Sequence, residues 1–160
     1  MGVGKSTTGV ALAQLTGLPY VDSDTDVETL VGCSGTELVS THGVSLLHEL
    51  ETAVLLGALA RATPSVISAA SSIVENQLVR LALPRRADMV RLVLAPDEVI
   101  ARQATGTHRR PMDIEELVEL AERREPHFAA LANLTLDAAQ PTADLVQAIM
   151  SHLGSPPRTQ

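Results

Sequence analysis

The chain opens with Met1, Gly2, Val3, Gly4, Lys5, Ser6 and Thr7, and an apolar run at helical spacing follows from Val10 to Leu15. This is the back half of the phosphate-loop pattern GxxxxGK[ST], and nothing else in the sequence restricts the fold as strongly. Such a loop works by geometry. Successive backbone N–H groups face a concavity, and the helix behind it adds the positive end of its dipole, so a polyphosphate is held with little side-chain specificity. Gly2 and Gly4 let the backbone approach the anion. Lys5 is expected to reach the β- and γ-phosphates, and the Ser6 hydroxyl to ligate Mg²⁺, an ion that takes few protein ligands. A glycine turn that merely caps a helix is the bland alternative; the helical pattern directly behind Lys5 and Ser6 favours nucleotide binding.

The rest of the chain alternates helix and strand patterns. Residues 4–16 read as a helix ended by Gly17, and 18–21 as a short buried strand that delivers Asp22. Helical patterns follow at 24–31, 35–42 and Val44 to Ala62, the last with Leu46, Leu47, Leu50, Val54, Leu55 and Leu59 on one face. A second strand is expected at 65–69, then a helix from Glu75 to Leu83 halted by Pro84. A third strand at 89–94 precedes a helix from Asp97 to about Gln103. The aperiodic stretch 104–112 is expected to be a lid, followed by a helix at 113–131, a strand at 134–137 and a helix at 141–153. The reading is therefore a single α/β domain over 1–153, three layers deep with a parallel sheet, and a disordered tail at 154–160.

Composition closes several alternatives. Twelve Lys and Arg against 19 Asp and Glu give a net charge of −7, which argues against a nucleic-acid partner, because a phosphate backbone demands a basic surface. The single cysteine, Cys33, rules out an internal disulfide framework and a multi-cysteine zinc site. No apolar run approaches the roughly 18 residues needed to span a bilayer, and no signal-peptide pattern is present, so no membrane partner and a cytoplasmic location are expected. A monomer is expected.

In order along the chain, five features, the phosphate loop among them, resemble the shikimate kinase family, within the P-loop kinases similar to nucleoside-monophosphate kinases. Met1 to Gly9 is similar to that family's phosphate loop, and Tyr20 to Asp24 to its strand-end acidic pair. Gly43 and Leu47 to Glu51 are similar to its FRxxE region, Arg109 to Pro111 to its lid, and Arg123 to Phe128 to its RxPxY segment. The resemblance covers essentially the whole chain. It implies ATP and Mg²⁺ at Gly2, Val3, Gly4, Lys5, Ser6 and Thr7, with Asp22 supporting the metal through water. It implies that Asp24 contacts the acceptor hydroxyls and orients the nucleophile, that Arg110 closes on the phosphates as a catalytic lid residue, and that Arg124 pairs with the acceptor carboxylate. Arg102 is a weaker candidate for the adenine or phosphates. The implied reaction moves the γ-phosphoryl of ATP to the 3-hydroxyl of shikimate. N-capping of the next helix is the bland reading of Asp22 and Asp24, and a solvated helix end that of Arg123 and Arg124.

Three departures bear on that expectation. His48 stands where the resemblance calls for an arginine, and an imidazole lacks the fork and is only partly charged near neutrality. Ala70, Ser71 and Ser72 replace a triple glycine, so added Cβ atoms change the pocket floor while Ser71 and Ser72 offer hydroxyls. An acceptor other than shikimate, a polyol or sugar acid, is the alternative, as is a nucleotide-binding protein without phosphotransfer. The third departure is the start of the chain: the pattern's first glycine and the central strand before it would lie upstream of Met1. Without that strand its two neighbours are expected to lose a partner and expose their edges, and the simplest expectation is a natural start further upstream.

Overall fold

The computed structural model describes residues 2–103 and 113–154. Helix α1 (Lys5–Thr16) leads to β1 (Tyr20–Asp22), then α2 (Ser23–Val31), α3 (Gly35–His42) and α4 (Val44–Leu59). Strand β2 (Val66–Ser68) runs into a 3₁₀ turn (Ser71–Glu75) and α5 (Gln77–Arg86). Strand β3 (Val90–Val93), α6 (Pro96–Gln103), α7 (Ile114–Leu131), β4 (Leu134–Asp137) and α8 (Thr142–Leu153) complete the order. The expected lid at 104–112, including Arg110, and the tail from 155 onward lie outside the described residues.

The four strands among the described residues are parallel to their partners, in two separate pairs. β1 joins β2 with Asp22 opposite Ser68, and β3 joins β4 with Val93 opposite Asp137. Between β2 and β3 lies a cavity of about 880 Å³, lined by Val66, Ile67 and Ser68 on one side and Val90, Leu92 and Val93 on the other. Among the described residues this slot separates the two strand pairs.

Helices bridge the two halves on both faces. Leu12 of α1 with Val146 and Ile149 of α8 forms a cluster against which both Val66 and Val90 pack. On the opposite face Leu55 and Leu59 of α4, Val79 and Leu83 of α5, and Phe128 and Leu131 of α7 close over Ile67 and Met89. The result is the expected three-layer α/β/α arrangement, because each strand carries apolar residues on both faces. α1 lies so close to β1 and β2 that a Cβ on Gly9 would stand 2.7 Å from Ser68 Oγ and 2.8 Å from the Tyr20 ring. A side chain there would force Ser68 Oγ and the Tyr20 ring, or the helix itself, to move.

Helices α5 and α4 depart furthest from their expected bounds. α5 starts later than Glu75, because the 3₁₀ turn intervenes and the Asn76 side chain caps the N–H groups of Leu78 and Val79. It also runs through Pro84 to Arg86. Proline's own φ is helical, so in a last turn it forfeits only the bond to the Arg80 carbonyl, while Ala87 N–H still closes on Leu83 O. α4 ends at Leu59 with Ala60 as its cap, short of the expected Ala62.

Candidate functional site

The phosphate loop takes its shape from two glycines. Gly2 and Gly4 hold φ values of 73° and 89°, a left-handed region that side chains other than glycine enter at a cost of about 1–2 kcal/mol. No side chain caps the start of α1, which leaves its first N–H groups aimed at whatever anion the loop receives. Ser68 Oγ donates to the Lys5 carbonyl at 3.2 Å and fastens this turn to the end of β2. Val3 packs on Leu94, Val99 and Ala138. Arg102, from α6, reaches the same loop: one Nη donates to Gly2 O at 3.4 Å and the other to Ala138 O at 3.2 Å. Ser6 and Thr7 are exposed on the first turn of α1.

Asp22 ties that turn to the sheet. Its Oδ2 accepts from Ser6 Oγ and from the Tyr20 hydroxyl, both at 2.8 Å, and its Oδ1 accepts from the N–H groups of Asp24 at 3.1 Å and Thr25 at 3.5 Å. Burial works to raise the Asp22 pKa, but these four donors outweigh it and hold the carboxyl below the ordinary range. So Asp22, and not Asp24, is the N-cap of α2. A hydroxyl beside an ionised carboxylate is an oxygen donor set suited to Mg²⁺, which binds through one or two such groups plus phosphate and water. No cluster of three or more His, Cys, Asp or Glu occurs among the described residues.

The charge state of Asp22 gives a stability prediction. A depressed folded pKa contributes stability above the unfolded value of about 4 and loses it as pH falls through the folded pKa. Asp22→Asn should therefore cost about 1–2 kcal/mol at pH 7, the worth of its charge-assisted hydrogen bonds, and the gap to the parent should narrow near pH 3. Urea unfolding at both pH values checks this; a gap independent of pH would show that Asp22 acts only as a cap.

The residues expected on the acceptor side gather at the C-terminal ends of β1 and β2, where open parallel sheets place ligands. Asp24 is the second residue of α2, and the neighbouring Ser23 Oγ, fully buried, accepts from Ala70 N–H at 3.1 Å. That bond joins the acidic segment to the Ala70–Ser72 floor. Ser72 Oγ donates to Glu51, which is only 1% exposed on α4. His48, one turn before Glu51, is half-buried and lies on the same side of α4. Arg124 is 6% exposed inside α7; one Nη donates to Ser71 Oγ at 2.9 Å and the other to Glu75 Oε2 at 3.0 Å. Arg123 donates to the second Glu75 oxygen at 2.7 Å. Burial opposes ionisation of Glu75, yet Arg124 first and Arg123 second keep its pKa below the usual carboxylate range. The solvated-helix-end reading therefore fails for Arg124 and suits only the exposed Arg123.

Sequence reasoning assigns no role to three residues at this site, although Tyr20 and Glu51 fall within segments that carry the resemblance. Glu51 leaves a faint signal, since Leu47, Glu51 and Leu55 recur every four residues and a carboxylate on an apolar stripe needs a buried donor. Glu75 and Tyr20 leave none, because their partners are set by tertiary contact.

Comparison with known proteins follows the same outline. The sequence model described as shikimate kinase matches residues 1–154. A shikimate kinase of Caldanaerobacter subterraneus subsp. tengcongensis is 33% identical over 153 residues, covering 91% of this chain and 86% of that protein. The structure of the Acinetobacter baumannii shikimate kinase in complex with shikimate superposes with a TM-score of 0.88 at 26% identity, covering 96% of this chain and 88% of that one. A shikimate kinase from Bacteroides thetaiotaomicron has the same fold, with a TM-score of 0.85 at 23% identity over 96% of this chain and 93% of its own.

Proposed function

The chain belongs to the shikimate kinase family, and on that premise we propose that it transfers the γ-phosphoryl group of ATP to the 3-hydroxyl of shikimate, a step of aromatic amino acid biosynthesis. The observation that carries the reading is the joining, through Asp22, of the phosphate loop to the acceptor end of the sheet: Ser6 Oγ and Asp24 N–H are bonded to one carboxylate. Donor and acceptor sites are thereby one unit.

Phosphoryl transfer asks mainly for alignment and charge neutralisation. Gly2 to Ser6 bind the β- and γ-phosphates through backbone N–H groups, with Thr7 on the same turn, and the Lys5 ammonium offsets charge at the transferring group. Arg102 supplies a guanidinium beside the loop, and Arg110 a second from the lid. Mg²⁺, held by Ser6 and by Asp22 through water, would supply further neutralisation of the phosphates. Asp24 orients the attacking 3-hydroxyl and takes its proton as the new O–P bond forms and the bond to the ADP oxygen breaks. Ser71, Ser72 and His48 shape the acceptor pocket, and Arg124 pairs with the acceptor carboxylate. The proposal includes a monomer working in the cytoplasm, where the lone Cys33 is at ease; no helix among the described residues is long and apolar enough to cross a membrane.

A second reading keeps the kinase and replaces shikimate with an uncharged polyol or another sugar acid. It is favoured by the engagement of Arg124 with Glu75 and by His48 in place of a fork. The test is ADP release, measured with shikimate and a panel of polyols and sugar acids. Release dependent on shikimate, with the panel inert, is the expected result. Release with a panel member alone would establish the second reading, and ATP binding without release from any acceptor would mark a binding protein.

A further inference from the structure

Arg124 enters the acceptor pocket already engaged. A guanidinium offers a carboxylate two paired edges, Nε with one Nη, and the two Nη together. Here each edge has a donor committed: one Nη to Ser71 Oγ, the other to Glu75 Oε2. The remaining nitrogen, Nε, is buried without a partner among the described residues. An unsatisfied N–H on a residue 6% exposed is costly, and it marks the Nε edge as the one built for an anion with two oxygens. Glu75 holds that edge end-on, by a single bond, because its other oxygen is taken by Arg123.

We propose that Glu75 is a specificity-determining residue, an internal carboxylate that competes with the acceptor's carboxylate for Arg124 and so sets the affinity for anionic acceptors. This rests on the reading above that Arg124 receives the acceptor. An incoming carboxylate gains both donors of the Nε edge only when Glu75 lets go of Nη and keeps Arg123. Glu75 has somewhere to retreat. Arg123 is exposed, and its long side chain can carry the displaced carboxylate toward solvent. The backbone at Glu75 is held independently, since Arg80 donates to the carbonyls of Val74 at 2.9 Å and Glu75 at 2.7 Å. Changing the side chain therefore leaves the turn that carries Ser71 and Ser72 in place. An uncharged acceptor never meets this competition.

Glu75→Gln tests it, because the amide keeps the shape and removes the charge. KM for shikimate should fall about five- to tenfold, with kcat and KM for ATP unchanged, in line with loss of one charge-assisted competitor. KM for the methyl ester of shikimate, which lacks the negative charge, should not move. A shikimate KM that is unchanged or higher in the variant, while the parent turns shikimate over, overturns the inference and leaves the kinase reading intact. Equal falls in KM for acid and ester assign Glu75 a purely structural role and overturn it as well. No turnover of shikimate by either protein rejects the kinase reading and the inference together.

Discussion

Lys5→Ala should lower acceptor-dependent ADP release by at least a hundred- to a thousandfold, the usual effect of removing one preorganised donor from the charge that develops in a transition state. The loss should fall mainly on kcat, because the ammonium acts on the transferring phosphate while the backbone N–H groups of Gly2 to Ser6 bind the nucleotide without it. Folding should be almost unaffected. Lys5 begins α1, its carbonyl is anchored by Ser68 Oγ, and its backbone is already helical, a conformation alanine favours. A melting temperature within a few degrees of the parent, together with retained ATP binding, would separate lost chemistry from lost structure. Turnover within about threefold of the parent would remove Lys5 from the mechanism, since a transition-state interaction worth so little could not be the principal charge on the γ-phosphoryl group.

Elements written in local sequence were readable, and those closed through space were not. Gly2 and Gly4 announce left-handed turns because no other residue enters them cheaply, and Gly17 and Gly32 end α1 and α2 in the same conformation. Asp22 was legible as the end of a strand, but which of the two acids caps α2 was not. That depends on a two-residue difference in where the helix begins, and boundaries follow hydrogen bonds rather than periodicity. Pro84 misled for a related reason, since its cost in a last turn is one carbonyl. Arg124 was legible by resemblance. Its partner Glu75 was hidden, because the 3₁₀ turn that lifts Ser71 and Glu75 toward α7 is only five residues long, too short to show a period. The pairing of Ser72 with Glu51 spans α4 and the floor of the pocket, so it appears only after β2 is in place.

Filling the slot between β2 and β3 should stabilise the protein more than any single substitution considered above. A strand spaced about 4.8 Å from its neighbours, in a layer about 10 Å thick and with a rise of about 3.3 Å, occupies roughly 160 Å³ per residue, so the cavity of about 880 Å³ fits five residues. Its walls are apolar on both helical faces, with Leu12 and Ile149 on one side and Leu59 and Phe128 on the other, so a Val- and Ile-rich segment suits both. Val3 and Lys5 line the same cavity, which places its mouth at the start of the chain described above. We therefore expect that five such residues, joined ahead of Met1 through a dipeptide beginning with glycine to complete GxxxxGK[ST], will enter the slot and pair with both edges. Five apolar side chains at about 2 kcal/mol each roughly balance an ordering cost of about 1.5 kcal/mol for each of the seven added residues, and pairing with both edges adds about 1 kcal/mol for each of a few new backbone hydrogen bonds, about 2–3 kcal/mol in all. At about 2–4 °C per kcal/mol the melting temperature should rise by about 5–10 °C. Amide exchange at Val66 to Ser68 and Val90 to Val93 should slow at the same time. The same extension with proline at two central positions cannot donate to either edge and should give neither effect. An equal rise from both extensions would mean that the slot takes apolar bulk without strand pairing, and no rise from either would mean that it is not a strand site.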